Sequence, residues 1–170
     1  LGAYYHIVAH ALMKITLFMC AGAIIVTAHK DNISDMHGIG RKMPITMACY
    51  TIASLGIAGM PFVIGFISKW NLGLGAMQVN QPIYIAVLIC SALLSLTYLM
   101  PVTYLAFFKE NEKGEFKTYG EANKFMLIPI CVTAALSVIL GIMPNFGPHL
   151  YDLASMAAQS ITQGWIGGGW

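Results

Sequence analysis

Hydrophobic residues dominate four long segments of the chain, and polar residues gather in the stretches between them. Each segment reaches about 20 residues, the length that a helix needs to cross a bilayer. The pattern therefore predicts an all-α integral membrane protein with about four transmembrane helices. The predicted spans are 1–28, 44–75, 82–108 and 125–143. The loops 29–43 and 109–124 join them, and 144–170 is predicted to be a short amphipathic, flexible tail.

The second predicted span, 44–75, is longer than one crossing needs and contains residues that disfavour a helix. Pro61 lacks an N–H and clashes with the preceding turn. Glycine lowers helix propensity further, by up to about 1 kcal/mol per residue. We therefore predict a discontinuous helix, interrupted near Pro61, with a plain proline kink as the alternative. The residues assigned to the break are Gly56, Gly59, Pro61 and Gly65.

The composition agrees with a membrane location and excludes other classes. The chain is 58% hydrophobic and 9% charged, whereas soluble domains carry roughly 25% charged residues. A net charge of +2 is too small to indicate nucleic-acid binding. The four cysteines lie one per hydrophobic segment and are interpreted as small apolar residues, not as disulfides or metal ligands.

The sequence HIVAHALMK places His6, His10 and Lys14 at successive i+4 positions in the first span. On a helix these side chains follow one face. A lysine within a membrane span costs about 3 kcal/mol or more, and such residues typically mark ion or proton pathways. Two alternatives stay open. His6 could hydrogen-bond a neighbouring helix near the membrane surface, or His6 or His10 could ligate haem.

Acidic residues are absent from all four predicted spans. Lys14 therefore has no carboxylate partner at membrane depth within this chain, so it is either neutral or neutralised by another segment. Both states suit a proton carrier. The seven acidic residues are Asp31, Asp35, Glu110, Glu112, Glu115, Glu121 and Asp152.

Lys69 follows Pro61 by eight residues, in the sequence GFISKW. Interrupted membrane helices favour ion sites, because the freed backbone groups need polar partners or water. We therefore place Lys69 on the same pathway as Lys14. The alternative is that Lys69 snorkels to an interface beside Trp70.

Basic residues predict the orientation. They occur in the loops 29–43 and 109–124 and are absent from the turns near 75–82 and 144–148. Basic residues in short loops favour the cytoplasmic side. Both loops are therefore expected in the cytoplasm, and the membrane is expected to be the cytoplasmic (inner) membrane of a bacterium or archaeon.

Three motifs together resemble a known family. They are HxxxHAxxK in the first span, GIGRKMP in the first loop, and IASLGIAGMPFVIGFISKW at the predicted break. In this order they resemble the antiporter-like subunits shared by respiratory complex I and the Mrp-type multisubunit cation/proton antiporters. The match runs from about residue 4 to 108, and the sequence GFISKWNLGLGAM is most similar to the Mrp D-type branch.

The resemblance implies roles for the polar residues. Lys14 matches the lysine of the family's HxxxHxxxK helix, His6 and His10 match its relay histidines, and Lys69 matches the titratable residue of its second discontinuous helix. It also implies that this chain is the C-terminal part of a longer subunit. The glutamate and lysine of the family's N-terminal half are absent here. Where the family usually has two successive prolines at the break, this chain has Pro61-Phe62.

These observations favour a proton-translocating membrane subunit of an Mrp-type or complex I-like assembly. We expect no cofactor, metal site or catalytic chemistry in this chain, even where the host is a proton-pumping NADH-quinone oxidoreductase. The expected partners are other membrane subunits, the N-terminal helices, lipid, protons and Na⁺ as an exchanged cation. Two alternatives remain: a non-conducting membrane scaffold, and a quinone- or haem-binding subunit of a redox complex.

Overall fold

The computed structural model describes residues 1–29, 32–109, 120–146 and 149–167, with the backbone alone for 162–167. Every regular element in these ranges is helical, which confirms the predicted all-α class. Two short 3₁₀ turns, Ile33–Asp35 and Ile39–Arg41, lie in the first loop. The α-helices are α1 (Gly2–Ala28), α2 (Pro44–Ala58), α3 (Ile64–Gln78), α4 (Ile83–Phe108), α5 (Lys124–Ile142) and α6 (Leu150–Gly167).

Three of these helices, α1, α4 and α5, are long and apolar enough to cross a membrane. Helix α2 is apolar but shorter, because the second predicted span divides into α2 and α3. The predicted interruption near Pro61 is therefore confirmed.

The break has a defined backbone conformation. Helix α2 ends at Ala58, and Gly59 follows with a left-handed φ of 91°. Pro61 lies in the connection, Phe62 has a φ of 72°, and α3 begins at Ile64. Glycine adopts positive φ without a steric penalty, which explains its place at the end of α2.

Gly56 and Gly65, which the sequence suggested as parts of the break, lie instead within α2 and α3. A Cβ atom on Gly65 would overlap the Gly56 carbonyl, and one on Gly56 would lie 2.5 Å from the Met13 sulfur. Both glycines therefore allow close packing of α1, α2 and α3 at the break. Composition alone does not separate this role from helix breaking.

Helix α1 is central and packs against α2, α3 and α5. Two apolar clusters surround it. The first joins the end of α1 to α2, α4 and α5, and the second joins its beginning to the break, α5 and α6. Buried members of the first include Cys20, Ile24, Met43, Met47 and Ile130. Those of the second include Tyr5, Met13, Val63, Ile64 and Leu140.

The end of the chain differs from the flexible tail predicted for 144–170. Helix α6 is a continuous helix of 18 residues. It packs against the beginning of α1 through Leu150, Tyr151 and Ala154. Residues 147–148 and 168–170 of the predicted tail lie outside the described residues.

Candidate functional site

The three polar residues of α1 differ in exposure. His6 is half-buried, whereas His10 and Lys14 are exposed on the surface of the described chain. The His6 and His10 rings are neighbours, with centroids 5.7 Å apart. The Lys14 Nζ atom lies 5.9 Å from the centroid of the Phe18 ring, within cation–π distance. The helical spacing thus aligns these groups along α1, with Lys14 about 12 Å beyond His6 along the axis.

His6 connects α1 to the broken helix. Its Nδ1 atom lies 2.9 Å from the Oγ atom of Ser68, a fully buried residue of α3. The Ser68 hydroxyl donates to the Gly65 carbonyl at 2.9 Å. A hydroxyl has one proton to donate. When both bonds are present, His6 Nδ1–H is therefore the donor to Ser68, and a neutral ring keeps Nε2 as its proton-accepting atom.

The side chain of Lys69 extends from α3 toward the end of α2 at the break. Its Nζ atom donates to the Ile57 carbonyl at 2.7 Å and to the Ala58 carbonyl at 3.2 Å. These are among the last carbonyls of α2, which have no partner within the helix and form the negative end of its dipole. An ammonium group stabilises such a helix end. A Cβ atom on Gly59 would lie 2.9 Å from Lys69 Cδ, so the missing side chain leaves room for the lysine.

The structure thus brings His6 and Lys69 into one region and leaves Lys14 further along α1. His10 is the ring neighbour of His6 on α1. Lys69 follows Ser68 directly in the chain. The break, the first histidine and the lysine of α3 therefore form one polar region inside the bundle.

Sequence reasoning missed several polar residues around this region. Ser68 and Asn71 occur one turn apart on α3, a spacing that could have indicated a polar stripe. Tyr151 donates a 3.3 Å hydrogen bond from its hydroxyl to Asn71 Oδ1. Nothing in the local sequence of Tyr151 pointed to this contact. On α1, Thr16 bonds Thr133 of α5 at 2.8 Å between their hydroxyl oxygens.

The cysteines also come closer than their sequence spacing indicated. Cys20 and Cys49 belong to the first apolar cluster, and Cys131 packs against it. All three are free thiols, and Cys90 is free and exposed. Within the described residues, no group of three or more His, Cys, Asp or Glu side chains is arranged to hold a metal ion.

Comparison with known proteins places the chain in a family. Residues 1–95 match the family model described as "NADH:quinone oxidoreductase/Mrp antiporter, TM". NADH-quinone oxidoreductase subunit N of Desulforudis audaxviator is 35% identical over an alignment 152 positions long, which covers 83% of this chain and 30% of that protein. The chain therefore spans less than a third of the length of this relative.

Two solved structures share the fold. The membrane-bound sulfane sulfur reductase, an archaeal respiratory membrane complex, matches with a TM-score of 0.75 and 32% identity. That match covers 83% of this chain and 23% of the other. The Mrp complex from Dietzia sp. matches with a TM-score of 0.73 and 17% identity, covering 83% of this chain and 34% of the other.

The similarity to the Mrp complex, at 17% identity, shows a shared fold alone. The family match extends over more than half of the chain, and the apolar helices agree with it. The chain is an integral membrane protein and belongs to the NADH:quinone oxidoreductase/Mrp antiporter transmembrane family, whose members include the antiporter-like subunits of complex I and Mrp complexes.

Proposed function

We propose that this chain carries protons across the membrane as part of an antiporter-like subunit, along His6, His10, Lys14 and Lys69. One observation carries the proposal: the hydrogen bond between His6 of α1 and Ser68 of α3. It joins the histidine stripe of α1 to the broken helix directly beside Lys69. The residues proposed for the path thus follow α1 from Lys14 to His6, and the His6–Ser68 bond supports their continuation to the broken helix.

The side chains suit this task chemically. Histidine exchanges a proton near neutral pH and can accept it on one ring nitrogen while donating from the other. Lysine acts as a charge-switching site. Lys14 and Lys69, if both charged in a low-dielectric interior, repel each other, and the repulsion grows as they come closer and are less screened. Release of a proton from Lys69 therefore favours arrival of a proton at Lys14.

The exposed face of α1 supports a larger assembly. His10 and Lys14 lie on the surface of the described chain, and a charged side chain facing lipid at mid-membrane is costly. The relatives are about three times as long as this chain or longer. We infer that further helices of the subunit cover this face and bring a carboxylate, another titratable group or a water chain to Lys14.

The proposed surroundings follow from the same argument. The chain works with other membrane subunits and lipid in the cytoplasmic membrane of a bacterium or archaeon. Loops 29–43 and 109–124 lie in the cytoplasm, because the basic residues concentrate there. The transported ion is the proton, and transport assays with and without a Na⁺ gradient test for coupled Na⁺ exchange.

The test replaces Lys14 in the assembled complex, reconstituted in sealed vesicles. Lys14→Ala is expected to lower proton transport about tenfold or more, equivalent to about 1.4 kcal/mol in the barrier. Lys14→Arg is also expected to be poor, because arginine does not release its proton. Ile15→Ala is the matched control, since Ile15 is an exposed apolar neighbour on the same helix.

Normal transport by an assembled Lys14→Ala variant would remove this residue from the pathway and favour a scaffold role. A haem absorption band in the purified complex, lost on replacement of His6 or His10, would favour a redox role instead. Impaired transport in both Lys14→Ala and Ile15→Ala would indicate a packing defect.

A further inference from the structure

A second set of polar groups continues from Ser68 toward the end of the bundle at which α1 begins and α3 ends. Asn71 lies one helical turn beyond Ser68 on the same face of α3. Its Nδ2 group donates to the Ile67 carbonyl at 2.8 Å, which leaves Oδ1 to accept the Tyr151 hydroxyl at 3.3 Å. The contact joins α3 to α6.

Space opens beyond this contact. Gly75 lies one turn past Asn71, and a Cβ atom there would meet nothing within 4 Å. Gln78 ends the helix and is exposed. Polar or small residues thus occupy this face of α3 from the buried Ser68 to the exposed end of the helix. The exposed apolar residues of α3, Trp70, Leu74 and Met77, lie at other positions around it.

Tyr151 is held by packing as well as by its hydroxyl. Its ring meets Tyr5 of α1 edge-on, with centroids 5.7 Å apart. The Tyr5 hydroxyl donates elsewhere, to the Leu140 carbonyl at 3.2 Å. The two neighbouring tyrosines therefore differ in the hydrogen-bond partner of the hydroxyl group. One hydroxyl faces the polar stripe of α3, and the other is bonded to the backbone of α5.

We propose that Asn71 and Tyr151 form the outer section of the proton path, between the His6–Ser68 pair and the end of the bundle, with α6 positioning Tyr151. This inference rests on the proposed function. Neither group has to titrate: the amide and the phenol hydrogen-bond water molecules, and protons pass along that water. The alternative is that the Asn71–Tyr151 bond only docks α6.

The first experiment compares two hydroxyl deletions in the assembled complex. Tyr151→Phe is expected to lower proton transport about fivefold, the rate equivalent of one hydrogen bond. Tyr5→Phe keeps the aromatic pair and loses a bond to a carbonyl outside the path, so transport is expected within twofold of the parent. Equal effects of the two substitutions would overturn the inference.

The second experiment is independent of transport. In a parent with Cys20, Cys49, Cys90 and Cys131 replaced by alanine, Asn71→Cys is treated with a membrane-impermeant, positively charged methanethiosulfonate reagent from the α6 side. Leu74→Cys is the control, because Leu74 is exposed and lines a cavity that is apolar apart from Lys69. Rapid labelling of the Asn71→Cys variant alone is expected. Equal labelling rates would contradict an aqueous section at Asn71.

The two proposals fail in distinguishable ways. If Lys14→Ala conducts normally while the Asn71→Cys variant is labelled, the relay is wrong and the water-filled section stands. If Lys14→Ala is inactive while the Asn71→Cys variant is protected and Tyr151→Phe is normal, the relay stands and its outer section lies elsewhere.

Discussion

Position 59 requires glycine for two separate reasons. Its φ of 91° suits glycine, and a side chain there would collide with the stem of Lys69. The first requirement could be anticipated from a glycine next to a proline-containing break. The second could not, because it depends on a lysine ten residues later folding back over the end of α2.

We predict that Gly59→Ala destabilises the protein by about 1–3 kcal/mol, the cost of a non-glycine residue in left-handed conformation, and displaces Lys69. Thermal unfolding and proton transport of the assembled complex measure the two effects. Gly73→Ala is the control, because a Cβ atom on Gly73 meets nothing within 4 Å. A Gly59→Ala variant as stable as the control would contradict the strain argument.

Lys69 yields a prediction that separates charge from packing. Lys69→Ala is expected to lower proton transport about tenfold or more, equivalent to about 1.4 kcal/mol. Lys69→Glu keeps a titratable group and is expected to retain some transport. That activity stays partial, because a carboxylate near the last carbonyls of α2 is unfavourable.

Lys69→Met provides the control, since it keeps an apolar stem and removes titration. It is expected to transport as poorly as Lys69→Ala. Near-normal transport by either neutral variant would leave Lys69 as a structural cap of α2 and confine the proton path to α1.

At the scale of the elements, the sequence predicted the helices from their apolar length and predicted the break from its proline and glycines. It predicted an amphipathic, flexible tail for 144–170 but not the docking of α6 through Tyr151 on Tyr5, a contact between distant parts of the chain. For the same reason the contact between Asn71 and Tyr151 emerged only once the helices were packed.

The beginning of α2 shows another contact hidden from the sequence. The Glu121 carboxylate accepts hydrogen bonds from the Ile45 and Thr46 backbone N–H groups, each at 3.1 Å. It also accepts one from the Thr46 hydroxyl at 2.6 Å. Glu121 thus caps α2 from a distant part of the chain, where an anion is favourable.

We predict that Glu121→Ala destabilises the protein by about 1–3 kcal/mol, because it leaves the N–H groups of α2 without their cap. Glu121→Gln is expected to lose less, since one oxygen remains to accept. Thermal unfolding measures both. Asp35→Ala, in the exposed first loop, is the control, and a loss of similar size there would show a general effect of charge.

At the scale of the whole molecule, α1 has one face packed within the bundle and another that carries His10 and Lys14 outward. The absence of acidic residues from the predicted spans already indicated that Lys14 is either neutral or neutralised by a group from another segment. The structure adds that His10 and Lys14 lie on the exposed face of α1, where we expect such a partner to approach.

The contact between Lys69 and the end of α2 also has a mechanical consequence. Two short helices meet at the break, and the Lys69 ammonium group binds one of them at the Ile57 and Ala58 carbonyls. Charge-assisted hydrogen bonds are roughly twice as strong as neutral ones. Loss of the Lys69 proton is therefore expected to weaken these hydrogen bonds. The stiffness of the connection between α2 and α3 then depends on whether Lys69 is protonated.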